Sequence, residues 1–132
     1  MSPKTMINTG LKITPDKKLS VIKQEFNKLF PYLKLEFFKH PHKIHSGNPK
    51  NDMIETDATP AQLHRKATTQ FIDVTEDMKV ATLEELFYTA FGISAQVFRK
   101  SGRSWLETSI TDDWTLKRQN DEGYELSAFT KL

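Results

Sequence analysis

Along the chain the apolar positions switch from one period to another, and the same switch occurs twice. Leu19, Ile22, Phe26, Leu29 and Phe30 recur at helical spacing, as do Val80, Leu83, Phe87, Ala90 and Phe91. Each helical stretch gives way at once to period-two alternation. Leu33, Leu35 and Phe37 fall on one side of a strand, with Lys34, Glu36 and Phe38 on the other. Ile93, Ala95 and Val97 oppose Ser94, Gln96 and Phe98 in the same way. Pro31 and Gly92 stand at the two helix ends, proline because it has no amide hydrogen and glycine because it tolerates positive φ. Ser20 is the expected N-cap of the first helix, and Thr82 with Glu85 has the form of a capping box in the second. Leading strands are predicted around Met6–Ile13 and Gln70–Val74.

Downstream, Ser101-Gly102-Arg103-Ser104 predicts a tight turn into a strand from Trp105 to about Ile110. The corresponding connection from His40 to about Asn51 is longer, rich in Gly, Pro, Asn and His, and predicts a mobile loop. Thr59-Pro60 opens a further helix, with Thr as N-cap and Pro in the first helical position. Thr111-Asp112-Asp113 is expected to open the last one, and Asn120 to Gly123 to end it.

The order of these signals suggests a repeat. Without a gap, Thr14 falls on Thr75, Asp16 on Asp77, Lys18 on Lys79, Phe26 on Phe87 and Phe30 on Phe91. One deletion near Tyr32 then places Leu33 on Ile93, Phe37 on Val97 and Phe38 on Phe98. Further gaps place Glu55 on Glu107, Thr56 on Thr108, Thr59 on Thr111, Leu63 on Leu116 and Arg65 on Arg118. The expected fold is α+β, with tandem duplicated β-α-β-β-α units packing into one pseudo-twofold domain. One unit alone offers too little interior to be stable. The boundaries read as a flexible N-terminus at 1–9, units at 10–67 and 68–127, and a tail at 128–132. Met6 to Val74 also spells the ferredoxin-like order βαββαβ.

Charge separates the two halves. Residues 1–66 hold twelve Lys and Arg against six Asp and Glu, and residues 67–132 hold seven against eleven. The halves therefore carry +6 and −4, which together give the chain's +2. A nucleic-acid binder is more often basic along one continuous face. There are no cysteines, which excludes disulfides, thiolate metal sites and cysteine nucleophiles. No apolar run reaches the roughly twenty residues of a membrane span, and Met1 to Gly10 lacks the apolar core of a signal peptide. The expectation is a cytoplasmic protein.

The run FRKSGRSWLETSITDDWTLKRQNDEG, from Phe98 to Gly123, resembles a segment of a family of small uncharacterised bacterial proteins. No activity attaches to that family, so the resemblance implies none here.

Candidate chemistry is sparse. His40, His42 and His45 cluster in HPHKIH, with His64 further on, and histidines in a loop can bind zinc or nickel. Their spacing matches no established ligand pattern, so a solvated loop is the expectation and no metal or cofactor is assigned. Asp112 and Asp113, with Glu107 and Asp121 nearby, are a possible carboxylate group, but adjacent aspartates suit a helix start as well. No Gly-rich phosphate loop, GxSxG or HExxH occurs, and no catalytic residue is assigned. The sharper signal is aromatic. Phe38 and Phe98 fall on the side of their strands opposite the expected core, close to Arg99, Lys100, Arg103 and Trp105.

These residues point to a binding surface. The leading reading is a non-catalytic module that binds another protein or itself. One alternative is nucleic-acid binding through the Phe98–Trp105 hairpin, where aromatic rings beside cations could stack bases. The other is metal or small-ligand binding by the histidine loop 40–45. No membrane partner is expected.

Overall fold

The computed structural model describes residues 10–39, 52–63 and 70–130. The element order is β1 (Leu11–Ile13), α1 (Leu19–Leu29), β2 (Leu33–Phe38), α2 (Pro60–Leu63), β3 (Ile72–Val74), α3 (Val80–Phe91), β4 (Ser94–Ser101), β5 (Ser104–Glu107) and α4 (Leu116–Thr130). The fold is mixed α+β, with two small antiparallel sheets and four helices among the described residues. Residues 1–9, 40–51, 64–69 and 131–132, which include the expected flexible N-terminus and the expected histidine loop, lie outside them.

β1 pairs with β3, and β2, β4 and β5 form a second sheet in that order. The ferredoxin-like order is not built, because the leading strands pair with each other rather than joining the larger sheet. In the first sheet the register runs Leu11 to Val74, Lys12 to Asp73 and Ile13 to Ile72. In the second, Leu33 faces Arg99, Glu36 faces Gln96 and Phe38 faces Ser94. An isolated bridge from Phe38 to Met53 borders β2 on its other side.

The expected apolar faces are the buried ones. Leu19, Ile22 and Phe26 of α1 join Val80, Leu83, Phe87 and Phe91 of α3, Leu33, Leu35 and Phe37 of β2, Ile93 just before β4, and Ala95 and Val97 of β4 in one core. Ile13, Ile72 and Val74 come into the same cluster from the small sheet. α1 packs on β1 and β2, and α3 packs on β3 and β4. Helix ends follow the sequence here. Phe30 donates its N–H to the Phe26 carbonyl at 2.8 Å just before Pro31, and Gly92 sits at φ 70° with its N–H on the Tyr88 carbonyl.

Helix starts differ from expectation. Lys18 and Lys79 occupy the N-cap positions, so Ser20 and Thr82 lie inside the first turns. The exposed amides find partners from elsewhere in the chain. Leu19 N–H donates to the Ala58 carbonyl at 2.9 Å, and Val80 N–H to the Trp114 carbonyl at 3.0 Å. Asp57 accepts from both the Ser20 N–H (3.1 Å) and the Ser20 hydroxyl (3.0 Å), which caps α1 from thirty-seven residues away. In the second half the Asp112 carbonyl takes that place, accepting from Ala81 N–H at 2.7 Å. Tertiary carbonyls have displaced the local capping motifs.

α4 also departs from the sequence reading. Thr111 to Asp113 form a turn, and the helix starts at Leu116, where the Thr115 hydroxyl accepts from Arg118 N–H at 3.1 Å. Thr59 caps α2 as expected, with Gln62 completing a reciprocal pair at 3.1 and 2.9 Å. α4 runs on through Asn120 and Gly123. Gly123 is there for close approach rather than for termination. A Cβ on it would lie 2.8 Å from Tyr32 Cβ, 3.1 Å from the Tyr32 carbonyl oxygen and 3.2 Å from Arg99 Cγ.

Candidate functional site

The side of the larger sheet away from the core carries the aromatic residues singled out above. Strand alternation brings Lys34, Glu36 and Phe38 to that face on β2, Gln96, Phe98 and Lys100 on β4, and Trp105 and Glu107 on β5. The register lines them up. Lys34, Phe98 and Glu107 form one row across the three strands, and Lys100 stands opposite Trp105 in the next. The Gly102-Arg103 turn sets this register, with Gly102 at φ 63° and Ser101 opposite Ser104. β5 is shorter than the predicted strand and ends at Glu107, beyond which Thr108 still donates its N–H to the Val97 carbonyl at 3.2 Å.

A cleft of about 260 Å³ lies on this face. Phe38, Met53 and Phe98 give it an apolar end, and Trp105 stands at the hairpin end, with Lys34, Glu36 and Glu107 completing the lining. Phe38 is only 1% exposed, yet it does not belong to the main core cluster. The expectation of two outward rings is therefore corrected for Phe38, which is buried beside Met53, whereas Phe98 and Trp105 are half-buried.

Cations lie over the aromatic rings. Lys34 Nζ is 5.5 Å from the Phe98 ring centre and 5.1 Å from that of Trp105, and Lys100 Nζ is 5.8 Å from Trp105. Glu36 accepts from Lys23 Nζ at 2.9 Å and lies 3.7 Å from Lys34 Nζ, so its charge is offset on both sides. Gln96, wholly buried opposite Glu36, donates to the Val97 carbonyl at 3.0 Å and leaves its Oε1 without a hydrogen-bond partner.

The remaining sequence candidates divide. Lys100 joins the face, and Arg103 is exposed on its turn. Arg99 does not join: it projects to the opposite side, where its Nη1 donates to Gln119 Oε1 at 2.9 Å and its guanidinium lies 5.8 Å from the Trp114 ring. Trp114 is also covered by Arg118 at 3.7 Å, which makes it a packing residue of α4. Asp121 is paired with Lys117 at 2.8 Å, and Asp112 is buried against the start of α3. Among the described residues no group of three or more His, Asp or Glu is placed to hold a metal ion. His40, His42, His45 and His64 lie outside those residues. No helix among them is long and apolar enough to cross a membrane.

Lys34, Glu36 and Met53 are not singled out from the sequence as site residues, and Glu107 is named there only within a carboxylate group. Lys34 and Glu36 are signalled by alternation with Phe38, but Met53 and Glu107 enter only through pairing. No family model matches this chain, and no curated protein or solved structure shows significant similarity to it.

Proposed function

We propose that this chain is a non-catalytic binding module whose docking surface is the hairpin end of the β2, β4 and β5 face that points away from the core. The observation that carries the reading is the cleft between Met53 and Trp105, with two half-buried rings in its lining and lysines over them. Aromatic and Met side chains are the types that dominate binding hot spots and adaptable contacts. At about 260 Å³ the cleft is smaller than the roughly 300–1,000 Å³ of small-molecule sites. That size suits one or two side chains of a protein partner. The nucleic-acid alternative is disfavoured because the lining mixes both signs, with Lys34 beside Glu36 and Glu107, instead of offering the continuous basic face that a phosphate backbone uses.

We further propose that the module arose by tandem duplication. Both sheet registers support this. In β1–β3 the pairing is centred on Lys12 and Asp73, which correspond in the ungapped alignment, and in β2–β4 on Glu36 and Gln96, which correspond after the deletion. Paired hydrogen bonds agree: Ala61 N–H to the Pro15 carbonyl and Lys117 N–H to the Glu76 carbonyl are both 2.9 Å. They favour matching Thr59 with Thr115 rather than Thr111, and Met53 with Glu107 rather than Trp105. On this reading Phe38 and Phe98 are the same residue twice, and the cleft straddles the pseudo-twofold.

The test of function is Phe98→Ala combined with Trp105→Ala. The double variant is expected to keep its circular dichroism and melting transition while losing a protein that cross-links to the wild-type chain in its native cell, or losing its own dimer in sedimentation. An unchanged cross-linking and sedimentation profile in a folded double variant places the docking surface elsewhere.

A further inference from the structure

The charges around the cleft select among partners, and this inference rests on the docking reading above. Glu36 is already engaged by Lys23 at 2.9 Å and by Lys34 at 3.7 Å. At the hairpin end the balance is reversed. Lys100 lies over the Trp105 ring, and Arg103 is exposed on the turn next to it. Among the described residues neither Lys100 nor Arg103 is in an ion pair, and Lys34 leans towards the same ring at 5.1 Å. Two lysines thus lie over one half-buried indole, with Arg103 exposed on the adjoining turn, while the far end of the cleft, at Phe38 and Met53, is apolar.

We propose that the cleft binds a short acidic peptide segment carrying one large apolar anchor residue. The anchor fills the space between Phe98 and Met53, and the flanking carboxylates meet Lys100 and Arg103. Desolvated aromatic contact supplies affinity, and the rim cations supply selectivity and the rate of encounter. Nucleic acid offers bases that stack equally well, but its evenly spaced phosphates call for a continuous basic track, whereas the cations here are confined to the hairpin end of the cleft.

The experiment is fluorescence anisotropy with the full chain and two labelled probes: a short peptide with one phenylalanine flanked by glutamates, and its counterpart flanked by lysines. The glutamate probe should saturate and weaken as salt is raised, and the lysine probe should not. Lys100→Glu with Arg103→Glu should weaken the glutamate probe by about tenfold or more, equivalent to about 1.4 kcal/mol. Both sites are exposed or half-buried, so the fold should tolerate the change, and a matching melting transition checks that. Equal binding of the two probes, or preference for the lysine probe, abolished by Trp105→Ala, overturns the acidic-partner proposal and leaves the docking surface standing. Displacement of the glutamate probe by a single-stranded oligonucleotide at lower concentration than by unlabelled peptide overturns it in favour of nucleic acid. Failure of both probes, with cross-linking also unaffected by Phe98→Ala and Trp105→Ala, overturns both.

Discussion

Gly123 in the middle of α4 lies so close to Tyr32 that a Cβ built on it would stand 2.8 Å from the tyrosine Cβ. This contact docks the last helix on the turn between α1 and β2. Asn120 Oδ1 accepts from Tyr32 N–H at 2.8 Å on the same side, and Tyr124 packs edge-on to the Tyr32 ring at 5.6 Å.

Gly123→Ala is therefore expected to destabilise the protein, against helix propensity. Alanine gains about 1 kcal/mol over glycine in a helix interior. The overpacking term is about 1–3 kcal/mol, at its upper end here because the obstructing atoms are a side-chain root and a backbone oxygen. A urea midpoint that falls confirms the close packing, and one that rises shows that α4 can move outward freely.

Phe26 and Phe87 are both fully buried, and each contacts a further ring: Phe30 at 5.2 Å for the first, Phe37 at 5.2 Å and Phe91 at 5.9 Å for the second. Either change to alanine should cost about 3–5 kcal/mol. The two losses should be similar in size, because both rings are fully buried in one shared core. A midpoint shift near zero for either variant would mean that its helix face is misassigned.

These two phenylalanines show what the sequence makes legible. Their helices have one apolar stripe, and β2 and β4 alternate in sequence, so period alone identifies the faces that meet the core, although Phe38 and Gln96 on the other face are buried as well. Capping was not legible in the same way. Ser20 and Thr82-Glu85 are good local signals, but backbone carbonyls at Ala58, Asp112 and Trp114 reach the helix starts first. Gly123 reads as a stop because a glycine's reason for being there lies in the neighbour it touches. The cleft was half visible. Phe98 and Trp105 announce themselves, whereas Met53 and Glu107 take their places only through strand register.

Asp57 gives a pH prediction with a definite sign. The Ser20 N–H, and after it the Ser20 hydroxyl, hold this exposed carboxyl below the ordinary carboxylate value. A group whose folded pKa is depressed stabilises above its unfolded value, near pH 4, and loses that contribution as pH falls through the folded value. Asp57→Ala should lower the melting temperature at neutral pH, and the gap from wild type should narrow as the buffer is taken below about pH 4. A gap that is constant across that range would assign the effect to packing of the 52–59 connection instead.

The bond between Arg99 and Gln119 is a buried polar contact tested best in pairs. Gln119 is fully buried, accepts from Arg99 Nη1 at 2.9 Å and donates to the Thr111 carbonyl and hydroxyl at 2.8 Å each. Gln119→Leu strands a guanidinium whose Nε is already unpartnered, and should cost at least about 2 kcal/mol. Arg99→Leu with Gln119→Leu removes both partners and should recover part of that loss. A double variant no more stable than Gln119→Leu alone would show that Arg99 contributes through its stem beside Gly123 and its guanidinium over Trp114 rather than through this bond.

Phe38 and Phe98 separate structure from binding on one face. Both project from the same side of the sheet, and the two differ in cover: Phe38 is 1% exposed beside Met53, and Phe98 is half-buried under Lys34. Truncating Phe38 leaves a sealed void, so Phe38→Ala should cost about 3–5 kcal/mol. Phe98→Ala removes a ring that water already reaches, so only about half of a buried phenylalanine's transfer energy is lost, about 1–2 kcal/mol. Binding should respond in the opposite order, with Phe98→Ala abolishing capture of the glutamate-flanked probe in a protein that still melts cooperatively. Urea titrations of the two single variants decide it. If Phe98→Ala is as destabilising as Phe38→Ala, the ring belongs to the framework, and the docking surface contracts to Trp105 and the hairpin cations.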